Sequence, residues 1–129
     1  MRKFQFSKLV RDKIVDGITE AGNTPHWRTL SNEEYLAELK KKILEEAKEV
    51  PEAQGPEIVK ELADIQEIID NLLTTLNVTK KEFEDIQRKK NEKAGSFKNK
   101  QYIEDVEIED DSDWVNYYLA SPDKYPEIK

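Results

Sequence analysis

The chain has no cysteine and a single histidine, His26. That excludes disulfides, thiol nucleophiles, every cysteine metal site and any two-histidine zinc site. Glycine is scarce, with four residues in 129, and none forms a phosphate-binding loop of the P-loop or dinucleotide type. No run approaches the roughly 18 apolar residues that a membrane span requires. The start, Met1 to Ser7, lacks the apolar stretch of a signal peptide, so the expected compartment is the cytoplasm. Hydrophobic residues are also few, at 36%, whereas charged residues reach 38% against a usual figure of about 25%. A net charge of −7 makes the chain a poor binder of nucleic-acid polymers. The length suits one domain, and the meagre apolar content suggests that a second copy, most simply in a homodimer, completes the core.

What is present is helical patterning. Leu9 to Ala21 reads as a first helix, weakened at Gly17 and stopped by Gly22-Asn23. Thr24 to Leu30 is an extended connection around Pro25. Ser31-Asn32-Glu33-Glu34 is a capping box, in which Ser31 and Glu34 each satisfy the other's amide. A helix follows to about Val50, with Leu36, Leu39, Ile43, Ala47 and Val50 on one face. After a loop from Pro51 to Pro56, a third helix covers 57–76, striped by Leu62, Ile65, Ile69, Leu72 and Leu76. Thr79 to Glu82 forms a second box and opens a fourth helix that ends at Gly95. Tyr102 to Ile108 has the composition of a short strand, and Asp111 to Ala120 that of a last helix. The expected architecture is all-α: an antiparallel helical bundle over residues 1–98 with a small C-terminal extension, 99–129, packed on the bundle or on a partner subunit.

The chemistry concentrates in Glu45-Glu46-Ala47-Lys48-Glu49 and Glu61-Leu62-Ala63-Asp64. Relative to the centre of each apolar stripe, Glu46 and Glu49 lie about 60° and 120° to one side, and Glu61 and Asp64 about 80° and 140°. Glu45 lies about 160° away, nearly opposite the core. A short loop makes the two helices antiparallel neighbours. Each then carries an i, i+3 carboxylate pair on the border of its buried stripe. Four converging carboxylates must take up protons or hold divalent cations. Oxygen ligands without imidazole or thiolate select Mg²⁺, Mn²⁺ or Ca²⁺, and Mg²⁺ favours a phosphate-bearing substrate. Spacing alone leaves a second reading open: a solvated acidic face paired with Lys40, Lys41, Lys42, Lys48 and Lys60.

Other side chains are candidates for substrate contacts. Lys8, Arg11 and Lys13 can neutralise a triphosphate, or else pair with the chain's own acids. Trp27 can stack on a base or serve as a core or interface anchor. Asn71 shares a helix side with Asp64 and can bond a sugar or base, or stand as a plain polar boundary residue. His26 reads as structural or solvated. Trp114, Tyr117 and Tyr118 read as anchors for the tail.

Glu-Glu-x-x-Glu, eleven further residues (Val50 to Lys60), and Glu-x-x-Asp resemble the signature of the MazG-like all-α nucleoside triphosphate pyrophosphohydrolases, the superfamily of the phosphoribosyl-ATP pyrophosphohydrolases and dimeric dUTPases. Lys8 to Ile14 (K-L-V-R-D-K-I) resembles the opening of one branch, and Glu34-Tyr35-Leu36 with Leu39 to Lys42 its lead-in to the first metal helix. Lys90 and Ala94-Gly95-Ser96-Phe97 fall where members read K-x-x-x-R-G-G-F. The resemblance covers residues 7 to 98. It implies Mg²⁺-dependent (or Mn²⁺-dependent) hydrolysis of a nucleoside triphosphate to the monophosphate and pyrophosphate by an oligomeric bundle. It assigns Glu46, Glu49, Glu61 and Asp64 as metal ligands, with Glu45 or Glu49 assisting deprotonation of water. Ala94 replaces the family's Arg and Ser96 its Gly, which shifts the phosphate contacts to Lys90 and Lys93. The same resemblance also admits a hydrolase restricted to phosphoribosyl-ATP or dUTP, and a nucleotide-binding module that does not turn over.

Overall fold

A computed structural model describes residues 1–129. The chain is all-helical, with no strand: α1 (Ile14–Glu20), α2 (Asn32–Glu49), a 3₁₀ turn (Val50–Glu52), α3 (Pro56–Thr75), α4 (Lys80–Ala94) and α5 (Trp114–Leu119). It divides into two compact units, Met1–Glu92 and Lys93–Lys129.

In the first unit, helix boundaries follow local chemistry. Ser31 caps α2: its hydroxyl accepts from the Glu34 amide at 3.2 Å, and the Glu34 carboxylate accepts from the Ser31 amide at 3.3 Å. Arg28 clamps that carboxylate with two guanidinium nitrogens. This clamp, helped by the Ser31 amide, pushes the Glu34 carboxyl down to about 2. The box is therefore charged and intact across the neutral range. Thr79 and Glu82 repeat the motif at α4. Between α2 and α3 the chain stops helical bonding in the 3₁₀ turn and reverses at Gly55, whose φ of 56° favours a residue without Cβ. Pro56 then occupies the first position of α3, where its missing N–H costs nothing.

Helices α2 and α3 form the packed pair and run antiparallel. Near one end, the Tyr35 hydroxyl of α2 donates to Asn71 Oδ1 of α3 at 3.3 Å. Near the other, Glu46 meets Glu61. Leu39 lies at the centre and is the one fully buried hydrophobic residue, 3% exposed. Leu36, Ile43, Ile65, Ile69 and Leu72 are half-buried around it. Three expected stripe members fall outside this core: Ala47 is exposed, and Leu62 and Leu76 are each about half exposed. The two leucines sit at the two ends of the α3 stripe. Leu44 and Val59 are likewise exposed, so one pair of helices leaves a substantial apolar surface near the acidic end.

Two other expectations are corrected. The first helix begins at Ile14 rather than Leu9, following a turn closed by the Ile14 amide on the Arg11 carbonyl, and Gly17 does not interrupt it. Tyr102 to Ile108 forms no strand. A strand needs a neighbouring ladder to satisfy its backbone groups, and the chain supplies no second one.

In the second unit, α5 is shorter than expected, since Asp110 and Asp111 form a turn ahead of it, closed by the Ser112 amide on the Glu109 carbonyl at 3.0 Å. Its aromatics pack on one another: Trp114 meets Tyr117 edge-on at 5.4 Å, and Tyr118 meets Tyr125 at 5.0 Å. The seven acids from Glu104 to Asp113 make no ion pair. Residues 101–129 hold nine acids against two lysines, an imbalance equal to the net charge of the whole chain.

Candidate metal centre

The last two turns of α2 and the first two of α3 bring their acidic borders together. One carboxylate oxygen from each of Glu46, Glu61 and Asp64 lies within 4.8 Å of the others. All three residues are partly buried. Glu49, one turn beyond Glu46, lies outside that group of three, though its charge acts on Glu61. Three of the four side chains singled out by helix-face geometry therefore meet in one cluster.

The electrostatics record the crowding. The Glu61 carboxyl is pushed up to about 7. Loss of solvent is the largest cause, followed by the hydrogen bond and charge of Glu49 and then those of Glu46. Glu61 Oε2 is sealed from solvent and has no donor partner. A buried carboxylate oxygen in that position must hold a proton or meet a cation. Glu46 is raised as well, by desolvation first and then by Glu49; Asp64 adds to this, while Glu61 and Lys42 oppose it.

The cations nearby do not neutralise the cluster as a solvated face would require. Lys42 pairs with Glu45 at 3.6 Å and Lys41 with Glu38 at 3.0 Å. No lysine pairs with Glu46, Glu49, Glu61 or Asp64, and Lys40, Lys48 and Lys60 pair with nothing. The single cation on the cluster is Arg11, whose Nη2 donates to Asp64 Oδ1 at 2.7 Å. Lys8 reaches Glu45 at 3.8 Å, so Glu45 is held between two lysines.

The donor set fits a hard divalent ion. Oxygens sharing one Mg²⁺ at about 2.1 Å can be no more than about 4.2 Å apart. The widest pair of the three thus has to close by about 0.6 Å at most, within reach of side-chain rotation. The orphaned Glu61 oxygen supplies a ligand with no competing bond.

The remaining candidates are distributed differently. Lys13, Lys90 and Lys93 make no ion pair. Trp27 is 66% exposed in the connection before α2. Asn71 is engaged within the protein: it accepts from Tyr35 and donates to the Glu67 carbonyl and carboxylate at 2.9 and 2.8 Å. It thereby ties α3 to α2, with its amide nitrogen donating within its own helix. In the sequence, Glu67 is marked only by its i, i+4 spacing to Asn71, and Tyr35 only by its place in Glu34-Tyr35-Leu36. A groove lined by Leu73, Val78 and Phe83 among others lies at the α3–α4 corner, and none of the four carboxylates lines it.

Comparison with known protein families, with curated proteins and with solved structures returns no match. The chemistry of the site therefore rests on the geometry above and on the motif residues themselves.

Proposed function

We propose that this protein is a Mg²⁺-dependent hydrolase that converts a nucleoside triphosphate to the monophosphate and pyrophosphate, on a MazG-type helical bundle. One observation carries the reading: Glu46, Glu61 and Asp64 converge from two helices, with Glu49 alongside, and no lysine neutralises them. Glu46, Glu49, Glu61 and Asp64 would hold the metal, and Mn²⁺ would serve in its place. A bound divalent ion supplies polarisation of phosphate oxygens and a water of lowered pKa.

The chain's own groups do the rest. Glu49 is exposed and faces the cluster, so it is the better-placed acceptor for the proton of the attacking water. Glu45, held by Lys8 and Lys42, is positioned to orient that water rather than to take its proton. Attack at the α-phosphorus forms one P–O bond and breaks the bond to the β-phosphate oxygen; pyrophosphate departs with that electron pair. Lys13 and Lys90, which make no ion pair, are the lysines of this unit proposed to balance its charge. The test is a panel of nucleoside triphosphates, with dUTP and phosphoribosyl-ATP included, assayed for monophosphate and pyrophosphate. Product is expected with Mg²⁺ and none without it. Nucleotide binding without product would replace this reading with that of a nucleotide-binding module, for which Ala94 in place of the family's Arg is the supporting feature.

The same reading includes a homodimer. Leu44, Val59 and Leu62 are 57%, 67% and 51% exposed beside the acidic end of the α2–α3 pair. A second copy covering them would bury apolar surface beside the site. Sedimentation at micromolar concentration is expected to give about twice the 15.1 kDa of one chain. Val59→Asp and Leu62→Asp should shift the protein to monomer; a wild-type protein that is monomeric throughout would remove this part of the proposal.

A further inference from the structure

Among the cations of the first unit, Arg11 stands apart. It precedes α1 in a turn closed by the Ile14 amide on its carbonyl at 3.1 Å, and it reaches across 53 residues to Asp64. The contact uses one guanidinium nitrogen and one carboxylate oxygen at 2.7 Å. The guanidinium makes no other hydrogen bond, and its side chain is 62% exposed. A planar fork with five donors is here spending one of them.

The position explains why. Without a metal, Asp64 takes Arg11 as counter-ion, and no other cation pairs with the cluster. An ion held by Asp64 would stand beside the guanidinium, which already contacts Oδ1, and two like charges at that separation repel strongly in a partly desolvated site. The side chain is exposed and its backbone is fixed in the turn, so it can rotate away without disturbing α1.

We propose that Arg11 is a built-in counter-ion of the carboxylate cluster, that a divalent cation displaces it from Asp64, and that the released guanidinium then binds the phosphates of the substrate. This rests on the reading of the cluster as a divalent-cation site. In its second position Arg11 offers a phosphate the paired donors that Asp64 does not use. The arrangement orders the two binding events: the metal frees the group that the polyphosphate needs, so each ligand favours the other. It also separates Arg11 from Lys8, whose partner Glu45 lies outside the three-carboxylate cluster.

The experiment uses the whole protein, titrated calorimetrically with Mn²⁺ alone and then, at saturating Mn²⁺, with inorganic tripolyphosphate. In Arg11→Ala, Mn²⁺ should bind about two- to fivefold more tightly, since an exposed ion pair no longer competes. Tripolyphosphate should bind about tenfold more weakly or worse, through loss of charge-assisted hydrogen bonds. Arg28→Ala removes an equal charge that pairs with Glu34 instead, and should leave Mn²⁺ affinity unchanged. Arg11→Gln, which keeps a polar side chain without the charge, gives the same two readings if alanine unfolds the N-terminal segment. Unchanged or weaker Mn²⁺ binding, or unchanged tripolyphosphate binding, in both Arg11 variants overturns the inference while leaving the metal site standing. Absence of Mn²⁺ binding to the wild type, with no change in Glu61→Gln, overturns the metal site itself and the inference with it.

Discussion

Glu46→Gln and Asp64→Asn are each expected to lower Mg²⁺-dependent nucleotide hydrolysis by about two to four orders of magnitude, the scale of losing several kcal/mol of charge stabilisation at the reacting phosphate. The helical fold should persist. Neither side chain belongs to the apolar contact around Leu39, and neither caps a helix. In the metal-free state Glu46→Gln should even raise the melting temperature, because Glu49 and Asp64 both disfavour a charge there. Asp64→Asn should not share that gain, since it also gives up the Arg11 contact. Turnover and far-ultraviolet circular dichroism on the same preparations provide the check. Near-wild-type turnover in both variants would reject the site.

Glu61 makes the second large effect one of pH. Its carboxyl is raised from 4.5 to about 7 in the folded protein. Between those values the folded state binds more protons than the unfolded state, so stability falls as pH rises. The contribution is fully present below 4.5 and is lost as pH climbs through about 7. Glu46, also raised, works in the same direction. Glu34, lowered to about 2, works in the opposite one: its contribution is present above 4.5 and is lost as pH falls through 2. Melting temperature measured from acid to about pH 8 should therefore decline on the alkaline limb in the metal-free protein. Millimolar Mg²⁺ should flatten that limb, since the cation favours the charged carboxylates. Glu61→Gln should flatten it without metal. Near pH 7, Mg²⁺ binding should release up to about one proton, seen as a calorimetric enthalpy that depends on buffer, and the release should vanish at high pH. A limb that Mg²⁺ leaves unaltered would mean that Glu61 is not a ligand.

Much of this is written in short-range chemistry. Ser31 with Glu34 and Thr79 with Glu82 start α2 and α4 where the capping motif says they should, because a cap is satisfied within four residues. The stride of Leu36, Leu39 and Ile43 places Glu46 at the border of a buried stripe, and the stride of Ile65 and Ile69 does the same for Asp64. A short connection then leaves little choice but antiparallel packing. Tyr102 to Ile108 shows the limit of such reasoning: β-branched and aromatic composition suits a pleated surface, yet a strand exists only with a partner elsewhere in the chain.

The sequence by itself thus determined the three long helices α2, α3 and α4 and which acids share a face, since each depends on neighbours within about one turn. Only the tertiary structure decided that Asn71 is committed to Tyr35 and Glu67, that one oxygen of Glu61 is cut off from water, and that Arg11 rather than a lysine answers Asp64. Those facts are set by distances between segments as much as 53 residues apart. Charge and desolvation act through space, and periodicity along one helix carries no record of them.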